Sequence, residues 1–171
     1  MAALGVTMKF FTVLFVAVIG VSAGAQPIFS YNYGAKKYDR VIKTLKLVII
    51  SAFIILISAT LWFQLAPNSI IKLFGSGNEL YNEFSRKCLR IFLSLIIFDA
   101  CELAGSTFFQ SIGKPVQASA LIMTRQIILQ VPLMYLFCKF YGVEGLLYAG
   151  PVDSFTVGTM AMILLWIEIK N

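Results

Sequence analysis

Four charged residues lie deep inside long apolar segments, and they are the residues best placed to do chemistry: Asp99, Glu102, Arg125 and Asp153. A charge at the centre of a bilayer costs roughly 2.5–3.5 kcal/mol on insertion scales, so such groups usually face a cavity or a partner. At about 1.5 Å of rise per helical residue, Asp99, Arg125 and Asp153 each fall about 15 Å from the ends of their segments. Three acids and one base would form a net negative site, which would suit organic cations, protons or sodium ions.

Asp99 and Glu102 are the main candidates for a site that binds a coupling ion or a substrate. Their spacing of three residues places both carboxylates on one helix face. We predict that they bind Na⁺ or H⁺, or that they contact the substrate. Either acid could instead be a protonated or paired structural group. Arg125 could be the ion-pair partner of Asp153 or of an acid on the third segment, and Asp153 could be purely structural.

Uncharged polar residues extend this site along three of the segments. Three stripes follow helical spacing: Asp99, Glu102, Ser106 and Gln110; Ser22, Gln26 and Ser30; and Gln126 and Gln130 beside Arg125. They predict a shared wet interior. The candidate cavity residues among them are Gln26, Gln110 and Gln126. The glutamines could instead bond one helix to another.

The elements that position these residues are predicted to be membrane-spanning helices. Hydrophobic residues make up 59% of the 171-residue chain and charged residues only 13%, whereas soluble domains have about 25% charged residues. A bilayer core needs about 20 mostly apolar helical residues per span. Five segments qualify: residues 4–33, 45–66, 88–112, 116–140 and 143–169. The sequence therefore predicts an all-α integral membrane protein with residues 1–171 in a single membrane domain.

The distribution of basic residues predicts the orientation in the membrane. The net charge is +6, but the basic residues flank apolar runs and form no stripe, so we expect contacts with membrane lipids and not with nucleic acid. A basic cluster follows the first span: Lys36, Lys37, Arg40, Lys43 and Lys46. This cluster favours a cytoplasmic first loop and a cytoplasmic C-terminus. We expect the membrane to be the plasma membrane.

Prolines inside the predicted spans are candidate kinks. Pro27, Pro132 and Pro151 each remove one helical hydrogen bond, which membrane helices tolerate because neighbours satisfy the freed carbonyl. They could act as hinges or only shape the bundle. Pro115 follows a Gly-Lys pair and suits the start of a helix. Gly34 is predicted to cap the end of the first span.

Several classes of chemistry are excluded or disfavoured by residue content. The chain has no histidine, which excludes histidine-based catalysis and histidine metal sites. Its three cysteines lack CxxC spacing and predict neither a disulfide framework nor a zinc site. No Walker A loop is present, so ATP-driven pumping by this chain is disfavoured. We expect no enzymatic activity and no resident cofactor.

The first span also admits a different interpretation. An apolar run precedes Ala23-Gly24-Ala25, which is the pattern of a signal-peptide cleavage site. Against it, the only nearby positive charge is Lys9, and apolar character continues through "QPIFSY". Four further spans follow in either case. We therefore expect a membrane helix at this position.

The chain resembles the multidrug and toxic compound extrusion (MATE) family of cation-coupled efflux transporters. The resemblance rests on "GAQPIFSYNYGAKKYDRV", "GSTFFQSIGKP", "RQIILQVPLMY" and "YGVEGLLYAGPVDSF". It implies a fold of twelve helices in two six-helix lobes, of which this chain would supply helices eight to twelve, most of the C-terminal lobe. The missing N-terminal lobe or a full-length transporter chain would be its partner.

The resemblance also implies a function, with two alternatives. An intact transporter of this kind would export small organic cations in exchange for Na⁺ or H⁺, and this chain alone would not be competent. A lobe of a lipid-linked saccharide flippase is one alternative, and a non-transporting truncated remnant is the other.

Overall fold

A computed structural model describes residues 2–65, 86, 90–91, 94–142 and 145–170. Most of the predicted second loop, and the predicted start of the third span at Cys88, lie outside these residues. All regular structure in the described residues is helical: α1 (Ala2–Gly34), α2 (Tyr38–Leu65), a 3₁₀ segment (Ile96–Phe98), α3 (Asp99–Ser111), α4 (Pro115–Met123), a π-helical segment (Thr124–Leu129), α5 (Gln130–Tyr141) and α6 (Gly145–Lys170).

Four helical stretches among the described residues are long and apolar enough to cross a membrane. They are Phe11–Gly34, Tyr38–Trp62, Pro115–Tyr141 and Leu147–Lys170, with α4, the π segment and α5 together forming the third of these. The predicted class of all-α membrane protein is confirmed.

The third predicted span differs from a single straight helix. Ser94 and Leu95 form a turn, a 3₁₀ segment follows, and only then does α3 begin. The 3₁₀ segment packs on α6. The backbones of Phe98 and Gly158 approach so closely there that a Cβ atom at Gly158 would clash with Phe98. Asp99 is therefore the first residue of an α-helix and not a residue in mid-helix, so Asp99 and Glu102 both lie in the first turn. The dipole of a helix favours negative charge at this end.

The described helices enclose two buried apolar clusters. The first joins α1, α2, the 3₁₀ segment and α6 through Val18, Leu56, Ile96 and Leu147. The second, larger cluster is formed by α1 to α4 with α6, and its largest members are Phe29, Leu45, Phe108, Phe109, Leu121 and Leu165. The outer faces expose many large apolar side chains, as expected for surfaces that face lipid or further helices. Since Val18 lies in the first cluster, cleavage after Ala25 would remove part of this core.

Two helix ends close with the same hydrogen-bond pattern. At the end of α1, the Lys37 amide donates to the Asn32 carbonyl at 2.9 Å, and Lys36 takes a left-handed conformation with φ 56°. This is a Schellman motif. The predicted end of the first helix at Gly34 is confirmed, but its predicted role as the capping residue is wrong, because Lys36 takes the left-handed position. At the end of α3 the left-handed position is Gly113, with φ 79°. Pro115 then begins α4, as predicted.

The three predicted kink positions lie in different local structures. Pro27 and Pro151 lie inside α1 and α6, which continue through them. Pro132 is the third residue of α5, so only Gln130 and Val131 separate it from the π segment. Proline lacks the amide that would donate to the carbonyl four residues earlier, here that of Ile128. Ile128 lies inside the π segment, so the missing hydrogen bond coincides with the change in helical repeat. The hinge roles stay predictions.

Candidate functional site

Arg125 lies between three carboxylates from two other helices. Its Nη1 atom is 3.0 Å from Oε2 of Glu102 and 3.1 Å from Oδ1 of Asp99, and its Nε atom is 3.6 Å from Oδ2 of Asp153. Only 12% of the Arg125 side chain is exposed, and the three acids are buried. The structure thus brings together all four of the charged residues predicted from the sequence. We call this group the Arg125 cluster.

The four members of the Arg125 cluster come from three helical elements. Asp99 and Glu102 come from the first turn of α3, and Asp153 comes from the first third of α6. Arg125 comes from the π segment, which continues α4. A π turn changes the direction in which side chains leave the helix and occurs often at functional sites.

The charges of the Arg125 cluster do not balance within it. If all four groups are ionised, the net charge is −2. Among the described residues, neither carboxylate oxygen of Asp99 has a hydrogen-bond partner, and neither does Oδ1 of Asp153. Asp99 contacts Nη1 of Arg125 as an ion pair, and Glu102 accepts a hydrogen bond from the same atom. Charge and bonding capacity therefore remain for a further cation or protons.

A cavity of about 240 Å³ opens beside the Arg125 cluster. Its polar lining includes Arg125, Asp153, Ser154, Gln126 and Gln130, and its apolar lining includes Phe11, Phe15 and Met134. The rings of Phe11 and Phe15 stack with centroids 4.2 Å apart, and the guanidinium carbon of Arg125 lies 5.0 Å from the centroid of Phe15. A negative group beside aromatic faces is an arrangement that attracts organic cations.

Two of the predicted cavity residues lie away from the Arg125 cluster. Gln110 is exposed, and it is eleven residues beyond Asp99, or about 16 Å further along the helix axis. Gln26 is half-buried and is likewise eleven residues beyond Phe15 on α1. Neither lines the cavity, whereas Gln126 does. In the same region as Gln26, the Ser30 hydroxyl donates to the Ser111 carbonyl at 2.9 Å, which bonds α1 to the end of α3.

Phe11, Phe15 and Ser154 are site residues that the sequence did not single out. An aromatic pair spaced four residues apart on an apolar helix looks like ordinary core or lipid-facing surface. Only the position of Arg125 in the fold identifies Phe15 as its contact. The π segment could have been suspected from Pro132, because a proline inside a helix must disturb the preceding turn.

Among the described residues, no group of three or more cysteine, aspartate or glutamate side chains is arranged to hold a metal ion. In the Arg125 cluster, the guanidinium lies against the carboxylates of both Asp99 and Glu102. A sodium ion at these two residues therefore stays a prediction.

Comparison with known proteins identifies the family. The sequence model of the MatE family matches residues 1–136. The multidrug export protein MepA of Staphylococcus haemolyticus is 19% identical over 154 residues, which cover 90% of this chain and 33% of that protein.

Two solved structures have a closely similar fold. One is the MATE multidrug transporter DinF-BH, solved as a complex, with a TM-score of 0.85 and 26% identity over 95% of this chain and 36% of that one. The other is a multidrug resistance MATE family transporter of the MOP superfamily in an inward-facing conformation, with a TM-score of 0.85 and 18% identity. This second match covers 98% of this chain and 38% of the transporter.

The chain thus spans about one third of the length of these relatives. The MatE model matches most of the chain. The membrane-length helices and the similarity of the fold to solved MATE transporters agree with this match. The chain is an integral membrane protein and belongs to the MatE family of multidrug and toxic compound extrusion transporters.

Proposed function

We propose that this chain forms most of the C-terminal lobe of a secondary-active antiporter that exports small organic cations in exchange for H⁺ or Na⁺. The observation that carries the proposal is the Arg125 cluster, a buried net negative group beside an aromatic cavity. The missing helices would complete the transport path as a second lobe. The chain would act as a transporter and not as an enzyme, in the plasma membrane and with its C-terminus in the cytoplasm.

The mechanism follows from competition for the same negative charge. Organic cations and coupling ions would both be attracted to the two units of negative charge that Arg125 leaves unbalanced. Uptake of one H⁺ or Na⁺ by Asp99 or Glu102 would cancel one of these two units of charge, which would weaken the attraction and favour release of the drug cation. Rocking of one lobe against the other would change which side of the membrane the cavity faces.

The alternative of a saccharide flippase is less well supported by the site geometry. A flippase for a lipid-linked saccharide would need positive charge to hold a pyrophosphate. Arg125 is already in contact with three carboxylates, and the Arg125 cluster would repel an anion. The geometry therefore favours cationic cargo.

Neutralising the two acids of α3 is expected to abolish transport. We predict that Asp99→Asn and Glu102→Gln each reduce efflux of a cationic dye to background when the complete two-lobe transporter is assayed in cells. Each variant keeps the shape of the side chain and removes the charge that would bind the coupling ion. Asp39→Asn is the matched control, because Asp39 is an exposed acid at the start of α2.

Cells with the Asp39→Asn control should export dye at the rate of the unchanged protein. Normal efflux with both of the α3 variants would contradict the proposed coupling role. An equal loss of efflux in all three variants would indicate a folding defect, which the amount of protein in the membrane would reveal.

The mass of the protein in membranes of its source cell tests the proposal that a second lobe completes it. An antibody to residues 145–170 should detect a band about three times the 19.0 kDa of this chain, since the chain spans 33% of its curated relative. A band at 19.0 kDa would favour the alternative of a remnant or of a separately encoded partner.

A further inference from the structure

A second cavity opens where α1, α3 and α6 end and where α2 and α4 begin. Its volume is about 530 Å³, which is within the usual range of about 300–1,000 Å³ for ligand pockets. It is lined by Tyr33 and Tyr38 on either side of the first loop, by Lys114 before α4, and by Glu168 and Lys170 at the end of α6. We call it the loop-end cavity.

The chain segments that carry the lining of the loop-end cavity are rich in basic residues. The lining residues and the three sequence neighbours on either side of each include six basic and two acidic residues, a net charge of +4. The basic residues are Lys36, Lys37, Arg40, Lys43, Lys114 and Lys170, and the acidic ones are Asp39 and Glu168. Basic pockets between membrane helices are sites at which anionic lipid headgroups bind.

The acid in the lining is already neutralised by a partner. The Nζ atom of Lys114 donates to both carboxylate oxygens of Glu168, at 2.6 and 2.7 Å. These hydrogen bonds raise the pKa of Lys114, so its ammonium group stays charged at neutral pH. The remaining positive charge in the lining is that of Lys170, which extends over the ring of Trp166 at 5.1 Å. The lining thus offers one cation and two tyrosine hydroxyls to an anion.

The apolar part of the loop-end cavity indicates an amphiphile and not a free anion. Val41 and Phe108 are buried apolar residues of the lining. Ile169 also lines the cavity and is exposed, as is Trp166 one turn earlier on α6. A free phosphate would gain nothing from these surfaces, whereas a lipid would place its headgroup in the basic part and its acyl chains along α6.

We propose that the loop-end cavity binds the headgroup of an anionic phospholipid, with the phosphate near Lys170, Tyr33 and Tyr38. The binding fixes the ends of α1, α3 and α6 relative to one another. This inference rests on the loop-end cavity alone and does not depend on the proposed transport activity.

The test is a lipid titration of the purified chain in a neutral detergent. Phosphatidylglycerol is added, and native mass spectrometry counts the lipids that stay bound. The test variant is Lys170→Gln. The matched control is Lys139→Gln, which removes the same charge from an exposed lysine at the far end of α5. Far-UV circular dichroism verifies that each variant keeps its helical content.

We expect one tightly bound phosphatidylglycerol per chain and much weaker binding of phosphatidylcholine. A lysine that contacts the headgroup contributes about fivefold in affinity for anionic lipid, so the test variant should weaken binding about fivefold and the control less than about twofold. Equal weakening in both variants would overturn the proposal, because it would show non-specific attraction by surface charge. Displacement of the lipid by an equal concentration of inorganic phosphate would also overturn it, because the site would then recognise a free anion.

Discussion

Replacing Arg125 by alanine is expected to destabilise the protein by about 3–5 kcal/mol, the cost of removing one partner from a buried ion pair. The substitution would leave three buried carboxylates without a counter-charge. It would also remove the contact with Phe15 that joins the π segment to α1. The measurement is the thermal unfolding of the purified chain in detergent, followed by circular dichroism.

Two further variants separate charge from shape at Arg125. Arg125→Lys keeps the positive charge, but a single ammonium cannot reproduce the planar fork that reaches three carboxylates, so we expect an intermediate loss. Combining Arg125→Gln with Asp99→Asn and Glu102→Gln removes two of the three carboxylate charges left without a partner, those of Asp99 and Glu102, and should recover much of the stability. If Arg125→Ala unfolds at the same temperature as the unchanged chain, the ion pairs do not hold the helices together.

The second large effect is expected at Gly158, where α6 meets the 3₁₀ segment. A Cβ atom at this position would lie 2.6 Å from both Cβ and the carbonyl oxygen of Phe98. Backbone atoms cannot yield as a flexible side chain can, so Gly158→Ala must push α6 away from the start of α3. Overpacking of this kind costs about 1–3 kcal/mol. The shift would also separate the carboxylate of Asp153 from Arg125.

Gly20→Ala is the matched control for Gly158→Ala. Gly20 also lies within a helix, but no heavy atom of a neighbouring residue lies within 4 Å of a Cβ built there. We expect its unfolding temperature to equal that of the unchanged chain or to exceed it, since alanine favours helix. Equal unfolding temperatures for Gly158→Ala and the unchanged chain would contradict the close packing of α6 on Phe98.

The sequence predicted the helical membrane fold and the four members of the Arg125 cluster for the same physical reason. Charges are so costly in an apolar span that they must find each other, and Asp99, Glu102, Asp153 and Arg125 are the charges deep inside the predicted spans. Nothing comparable constrains an uncharged polar residue. Gln26 and Gln110 follow the helical stripes, yet they lie too far along the helix axes to reach the cavity.

The departures from regular helix were not predictable from hydropathy. The 3₁₀ segment before α3 packs closely on α6, where Phe98 meets Gly158, a residue sixty positions away in the sequence. The left-handed residue that ends α1 is Lys36 and not the nearby glycine, because the hydrogen bonds of the whole turn decide which residue takes that position. For the π segment, the sequence offers one local indication, Pro132. The ion pairs of Arg125, which lies in this segment, involve residues far away in the sequence.

The binding of a monovalent organic cation by the purified two-lobe transporter tests the proposed coupling most directly. Isothermal titration with tetraphenylphosphonium would be run at two pH values, with and without Na⁺. We expect H⁺ or Na⁺ to weaken binding in the unchanged protein, and we expect this dependence to vanish in the variant that combines Asp99→Asn with Glu102→Gln. An affinity in the unchanged protein that is independent of both pH and Na⁺ would contradict competition at the Arg125 cluster.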